Sequence, residues 1–125
     1  MRFKFAGAGA IQHLKRPEMV RHCPAIANCS NNFIVVTGGS PPTNIQSRFD
    51  SIDIYSLASE EWLPGERLPR LNQARQSHSS CALNGFVYIF GGDNASINLL
   101  DSLERLYVGQ SEQSFEATTR QWELL

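Results

Sequence analysis

The sequence predicts an all-β fold with an internal repeat. Two short runs of β-branched and aromatic residues, Phe33–Thr37 and Phe86–Phe90, each end on a glycine pair. Such runs are typical of buried strands, and glycine at their end permits positive φ and the close approach of a neighbouring strand. Each copy continues with a matching second strand and then a tryptophan. About 50 residues therefore form the repeating unit.

Each unit is predicted to begin with a hairpin and to end at a buried aromatic ring. In the second unit, Asn84-Gly85 supplies two residues that tolerate positive φ, which favours a tight turn between antiparallel strands. We expect Trp62 and Trp122 to be largely buried between strands. The predicted strands that precede these tryptophans cover residues 24–28, 33–37, 50–55, 79–83, 86–90 and 101–106.

This order of strand, diglycine, loop, strand, loop and tryptophan resembles the Kelch motif. The resemblance implies about two four-stranded antiparallel blades of an incomplete β-propeller. The first unit departs from the pattern: it has no clear arginine–histidine pair at residues 23–26, although Arg21-His22 lies nearby. The residues that carry the resemblance are Gly38, Gly39, Trp62, Arg75, His78, Gly91, Gly92 and Trp122.

The resemblance divides the chain into two repeats and an N-terminal segment. Residues 23–70 form the first repeat and residues 71–125 the second, with a polar insertion at 108–121 that we expect to be a solvated spacer. Residues 1–22 are basic. They are interpreted as a degenerate blade remnant, a disordered tail or a transit peptide. A remnant would direct Phe3, Phe5 and Ile11 towards a core.

Composition argues against several classes of partner. The net charge of −1 lacks the basic excess of nucleic-acid-binding proteins, and no apolar run approaches the roughly 20 residues of a membrane helix. Neither nucleic acid nor membrane is predicted as a partner. The 3 cysteines are odd in number and show no C-x-x-C spacing, which favours reduced thiols and a cytoplasmic location. Cys29 and Cys81 are expected to be buried.

No constellation of reactive side chains predicts catalysis, a cofactor or a metal. His78 and Cys81 lie three positions apart on a strand and so face opposite sides. Arg75 and His78 are expected to be buried polar groups that hydrogen-bond backbone between blades. The alternative function is that of a fragment of a Kelch-containing enzyme, either a copper radical oxidase or a sugar isomerase. The oxidase site needs tyrosines and histidines on several blades and a cysteine crosslink.

The resemblance implies a protein–protein interaction module. In such propellers, loops that project from one face make much of the binding surface. The candidate binding residues are Asn44, Arg48, Asp93, Asn94 and Asn98. Likeness to the substrate receptors of ubiquitin ligases implies an adaptor role, which in those proteins accompanies an N-terminal BTB-type region. A cytoskeletal scaffold is equally compatible, and the partner protein is unidentified.

Two blades would leave two sheet faces uncovered. Exposed apolar faces and strand edges favour association, and repeat units generally need three or more copies for stability. Residues 1–22 carry net positive charge and residues 101–125 net negative charge, which favours head-to-tail contact. We therefore expect either a homo-oligomer or the remainder of a longer propeller to cover these faces.

Overall fold

The structure is a computed structural model whose described elements include β-strands and a short 3-10 helix, Gly65–Arg67. It describes residues 2–4, 10–12, 17, 19–44, 46–95, 98–112 and 120–125. Within these ranges, no helix has the length and apolarity required to cross a membrane.

Two four-stranded antiparallel sheets dominate the described chain, which confirms the predicted all-β fold. The first sheet has the strand order β3 (Ala25–Cys29), β4 (Phe33–Thr37), β5 (Ile52–Ser56) and β6 (Glu61–Trp62). The second sheet repeats this order with β7 (Ser79–Leu83), β8 (Phe86–Phe90), β9 (Leu103–Tyr107) and β10 (Glu123–Leu124). The sheets do not close into a ring.

The strand bounds follow the local signals in the sequence. Strands β4, β7 and β8 have the predicted bounds, and β7 pairs with β8 across Asn84-Gly85 as predicted. Strands β5 and β9 begin two residues later than predicted. The residues before them, Ser51 and Ser102, instead use their carbonyl groups to accept the N–H groups of Gly38 and Gly91.

The hydrophobic core lies between the two sheets, where β3 packs on β7. Its buried members are Ala27, Cys29, Phe33, Val35, Ile52, Ile54, Leu71, Val87, Ile89, Leu106, Val108 and Trp122. The opposite face of each sheet is partly covered, so burial alternates along β4 and β8. The expected burial of these strands on both faces is wrong, because each sheet packs against a single neighbouring sheet in the described chain.

The two tryptophans occupy different environments. Trp122 is 5% exposed and belongs to the core, as predicted. Trp62 is half-buried, and its ring lies 5.2 Å from that of Tyr55 in an edge-to-face arrangement. Trp62 is less buried than the expected large burial between strands, because its ring lies on the face of the first sheet that the second sheet does not cover.

The cysteines are free thiols in two environments. Cys29 is fully buried, and burial raises the pKa of its thiol. Cys23 and Cys81 are exposed. The expected burial of Cys81 is wrong, since its strand register directs it to the uncovered face of the second sheet beside Tyr88.

Both glycine pairs adopt positive φ, in line with the sequence analysis. A Cβ atom on Gly92 would overlap the Gln76 carbonyl oxygen and lie 2.9 Å from the His78 Cβ. A Cβ atom on Gly91 would meet the Leu100 carbonyl oxygen at 3.6 Å, an ordinary contact. In the second pair, Gly92 is thus required by both its φ and its surroundings, and Gly91 by its φ alone. In the first pair both positions are crowded, since a Cβ atom on Gly38 would overlap the Arg75 carbonyl oxygen.

The polar insertion begins with a docked segment. The Asn32 side chain donates to the Gln110 carbonyl oxygen at 2.5 Å, and the Ser59 hydroxyl donates to Glu112 Oε1 at 2.6 Å. Hydrogen bonds from Ser59 and Ser56 lower the pKa of the Glu112 carboxyl. Gln110 and Ser111 are exposed, as expected of a solvated spacer, and the hydrogen bonds tie this segment to the first sheet. The next residues, 113–119, lie outside the described chain.

The N-terminal segment contains a two-stranded antiparallel pair, β1 (Arg2–Lys4) and β2 (Ala10–Gln12). Phe3 and Ile11 are paired in its register. The predicted contacts of Phe3, Phe5 and Ile11 with a core lie outside the described residues, since the structure describes no side chains there.

We expect Gly92→Val to lower the free energy of unfolding by about 3 kcal/mol, since it adds both φ strain and overlap with Gln76. The matched control, Gly91→Val, should cost about half as much because only φ is unfavourable. Urea denaturation of both variants measures the difference. Equal losses would show that close approach has no role at Gly92.

Trp122→Ala should lower the free energy of unfolding by about 3 to 5 kcal/mol, because it removes a buried ring from the core. Trp62→Ala should cost about 1 to 2 kcal/mol, since that ring is half-buried. Thermal melts report both losses. Fluorescence supplies a check: the emission lost in Trp122→Ala should be the blue-shifted component.

Candidate functional site

A buried arginine organises the second sheet. The Arg75 side chain is fully buried and lies 2.9 Å from Glu104, whose side chain is also fully buried. Arg75 further donates to the carbonyl oxygens of Gly91 and Ser102 and to the Ser102 hydroxyl. Because each of these acceptors stands next to a glycine pair or a strand start, one guanidinium fixes the segment before β7 against β8 and β9.

The first sheet contains the same arrangement around Arg21. Its guanidinium donates to Asp53 at 3.0 Å, to the carbonyl oxygens of Gly38 and Ser51, and to the Ser51 hydroxyl. Arg21 is therefore the counterpart of Arg75, which corrects the view that the first unit lacks this arginine. The signal in the sequence is the repeated spacing of serine, apolar residue and acid at Ser51–Asp53 and Ser102–Glu104.

His78 joins the two sheets. Its Nε2 lies 2.8 Å from the Thr37 hydroxyl in a buried hydrogen bond. Both residues were expected to bond backbone between blades. His78 does join the blades, but its partner is a side chain. The Arg75 guanidinium does bond backbone, but within its own sheet. Burial, assisted by the nearby Arg75 charge, lowers the pKa of His78 to about 4.

Two of the predicted binding residues form an ion pair between the loops. The Arg48 guanidinium approaches Asp93 Oδ1 at 2.9 Å through Nε and at 2.8 Å through Nη2. Both loops end in the same way, with Phe49 N–H donating to the Gly39 carbonyl and Leu100 N–H to the Gly92 carbonyl. The glycine pairs thus anchor the loops, and the ion pair joins the loop of one sheet to that of the other.

A cleft of about 340 Å³ lies beside this ion pair. It is lined by Arg48, Gln73, Ala74, Asn94 and Ala95. The side-chain amides of Gln73 and Asn94 provide both donor and acceptor atoms. Sequence reasoning missed Gln73 and Ala74, which belong to the connection between the sheets and carry no motif.

The remaining predicted binding residues are held by local hydrogen bonds on the same two loops. Asn44 donates to the Ser47 hydroxyl at 3.0 Å and accepts from the Gln46 N–H. Asn98 accepts the Asn94 N–H through its carbonyl oxygen. The structure thus brings Arg48, Asp93 and Asn94 together and places Asn44 and Asn98 outside the cleft lining. Among the described residues, no His, Cys, Asp and Glu group has the arrangement of a metal site.

Glu104→Ala should lower the free energy of unfolding by about 3 to 5 kcal/mol, because it leaves the buried Arg75 charge without its acid. Asp53→Ala is the matched control. The Asp53 side chain is 20% exposed and so stays partly hydrated, and we expect a loss of about 2 kcal/mol. Chemical denaturation compares the two. A smaller loss for Glu104→Ala would contradict the clamp described for Arg75.

Stability should fall as pH drops from 6.5 to about 4, because His78 binds a proton more readily in the unfolded chain than in the folded one. Its lowered pKa contributes up to about 3 kcal/mol above pH 6.5, and this is lost as pH falls through the folded pKa. The difference in unfolding free energy between the wild type and His78→Gln, followed across this range, isolates the histidine from the carboxyl groups. A pH-independent difference would contradict the assignment.

Comparison with known proteins gives Kelch-repeat relatives. No protein-family model matches the chain. Kelch domain-containing protein 3 of Rattus norvegicus is 43% identical over 78 residues, which cover 58% of this chain and 20% of that protein. Kelch repeat and BTB domain-containing protein 2 of Cowpox virus is 24% identical over 122 residues, covering 90% of this chain and 21% of that protein. Kelch-like protein 21 of Danio rerio is 40% identical over 63 residues, covering 50% and 9%.

The chain thus spans about a fifth or less of the length of these curated relatives. The structure has the features expected of the Kelch repeat that appears in the names of these relatives. It repeats a four-stranded antiparallel sheet, with a diglycine after the second strand and an arginine clamp before the first. The chain is similar in sequence to Kelch-repeat proteins, and its two four-stranded antiparallel sheets match two blades of an unclosed propeller of that kind.

Proposed function

We propose that the chain is a protein-interaction module that binds a partner protein through the face formed by its two loops, residues 40–49 and 93–100. The observation that carries this proposal is the Arg48–Asp93 ion pair, which joins the loops of neighbouring blades at 2.8 Å. The pair is largely shielded from solvent, with 11% and 24% of the two side chains exposed. The loops therefore present one connected surface.

The chemistry of the cleft suits a segment of polypeptide. Its volume of about 340 Å³ accommodates a few side chains, and the amides of Gln73 and Asn94 match the donors and acceptors of a peptide backbone. Ala74 and Ala95 contribute apolar surface to the lining of the cleft. Protein partners are recognised by such combinations of apolar contact and convergent hydrogen-bonding groups.

The Kelch-repeat relatives support a protein-interaction module. The role of that module, as an adaptor or a scaffold, is our proposal. The name of the viral relative includes a BTB domain. On that likeness we propose an adaptor for a ubiquitin ligase, with a cytoskeletal scaffold as the second role. We propose a cytoplasmic location because the three cysteines are free thiols. In the described chain, no observation favours a copper radical oxidase or a sugar isomerase.

Arg48→Ala should reduce recovery of the partner by affinity purification at least fivefold, because it frees the two loops from one another. Ala58→Glu is the control. It changes the net charge by the same amount and lies in the β5–β6 turn at the other end of the blade. Quantitative mass spectrometry of both eluates, beside the wild type, identifies the partner. Equal recovery with Arg48→Ala and the wild type would overturn the proposed binding face.

A further inference from the structure

The two uncovered faces of the sheets are each the counterpart of a covered one. In the repeat, the face of the first blade that packs on the second blade corresponds to the open face of the second blade. Val35 in the buried face, for example, corresponds to Tyr88 in the open one. Conversely, the open face of the first blade, which carries Trp62, corresponds to the buried face that carries Trp122. Each open face is therefore one half of an interface that the chain already makes once.

The open face of the first blade, here called the first flank, is an apolar groove. It encloses about 430 Å³. Its lining includes Ile26, Ile34, Val36 and Trp62. The open face of the second blade, here called the second flank, exposes apolar side chains: Leu83 at 61% and Phe90 at 54%. Both flanks thus hold apolar area of the kind that is buried between the blades.

Backbone groups on the flanks repeat the pattern of the covered interface. Between the blades, Gly39 N–H donates to the Arg75 carbonyl at 2.8 Å, and Arg75 N–H donates to the Phe49 carbonyl at 3.3 Å. The counterpart groups are the Gly92 N–H, the Arg21 carbonyl and N–H, and the Leu100 carbonyl. Among the described residues, no partner is found for these four groups. The Gly92 N–H on the second flank matches the Arg21 carbonyl on the first. The Arg21 N–H on the first flank matches the Leu100 carbonyl on the second.

One polar pair of the covered interface is replaced on the flanks by an apolar pair. Between the blades, the Thr37 hydroxyl bonds the His78 ring at 2.8 Å. The counterpart of Thr37 is Phe90 on the second flank, and that of His78 is Pro24 on the first. An apolar contact between Phe90 and Pro24 can therefore replace the hydrogen bond between the Thr37 hydroxyl and the His78 imidazole. The two flanks of the chain therefore match each other.

We propose that a second copy of this chain covers the flanks, with the second flank of one copy docked in the first flank of the next. The contact reproduces the packing of the first blade on the second. It joins Gly92 N–H to the Arg21 carbonyl of the neighbouring copy and seats Phe90 against Pro24. The interface is heterologous, so it leads to a ring or an open chain of copies. It uses the sheet faces and, at the Leu100 carbonyl, the end of the second loop, but it does not involve the Arg48–Asp93 pair that carries the proposed partner binding.

Mixing two flank variants tests this contact. Ile26→Lys disables the first flank and Phe90→Glu the second, at positions that are 61% and 54% exposed and so tolerate polar residues. By light scattering at 100 µM, the wild type should exceed twice the 14.0 kDa monomer mass. Each variant alone should be monomeric. An equimolar mixture should form a 1:1 dimer, because each variant keeps the flank that the other lacks.

Leu124→Glu, at a position that is 54% exposed on the outer strand β10 and outside both flanks, is the control and should associate like the wild type. Fluorescence gives a second readout: Trp62 emission should shift to the blue as wild-type concentration rises, since Trp122 is already buried. A monomeric wild type would overturn the proposal and would favour a different protein, or further blades, as the occupant of the flanks. Variants that fail to form the mixed dimer, or association with no shift in emission, would overturn it as well.

Discussion

The fold depends on a buried charge that has no contact with water. Arg75 and Glu104 are both fully buried, and the cost of removing two charges from solvent is offset only when every donor and acceptor is satisfied. In this protein, backbone carbonyl and N–H groups supply most of these hydrogen-bond partners. Arg75 donates to the carbonyl oxygens of Gly91 and Ser102. Glu104 accepts hydrogen bonds from the backbone N–H groups of Asn72 and Gln73, which belong to the connection between the blades. The same pair therefore fixes both the blade and the connection that forms one wall of the cleft.

Repetition shows that burial depends on neighbours as much as on residue type. Arg21 and Asp53 make the bonds that Arg75 and Glu104 make, yet Asp53 is 20% exposed and Glu104 is fully buried. Trp62 and Trp122 differ in the same way. In each case the second copy lies between two blades and the first lies on an open face. The same kind of arginine–acid clamp thus lies in a fully buried site in one blade and includes a partly exposed carboxylate in the other.

The sequence was sufficient for features that are local and insufficient for those that arise between blades. A β-branched run before a glycine pair and an Asn-Gly turn predicted β4, β7 and β8 to the residue. The exposure of Cys81 and Trp62 could not be predicted in this way, because it depends on which sheet faces are covered. The Arg48–Asp93 pair joins residues 45 positions apart. Such a contact follows from the angle between two blades, which no periodicity in the sequence encodes.

The glycine pairs anchor both ends of each loop, so that the loop sequence can vary without a change in the blade. Each loop leaves the blade after a diglycine and returns through a hydrogen bond to a glycine carbonyl, from Phe49 in the first repeat and Leu100 in the second. Those bonds use backbone alone, so the residues between them can change without loss of the anchor. The first loop contains two prolines, whereas the second contains two asparagines and two leucines. The loops meet at Arg48 and Asp93, whose ion pair requires a base on one loop and an acid on the other, and neither side chain takes part in the Arg75 clamp.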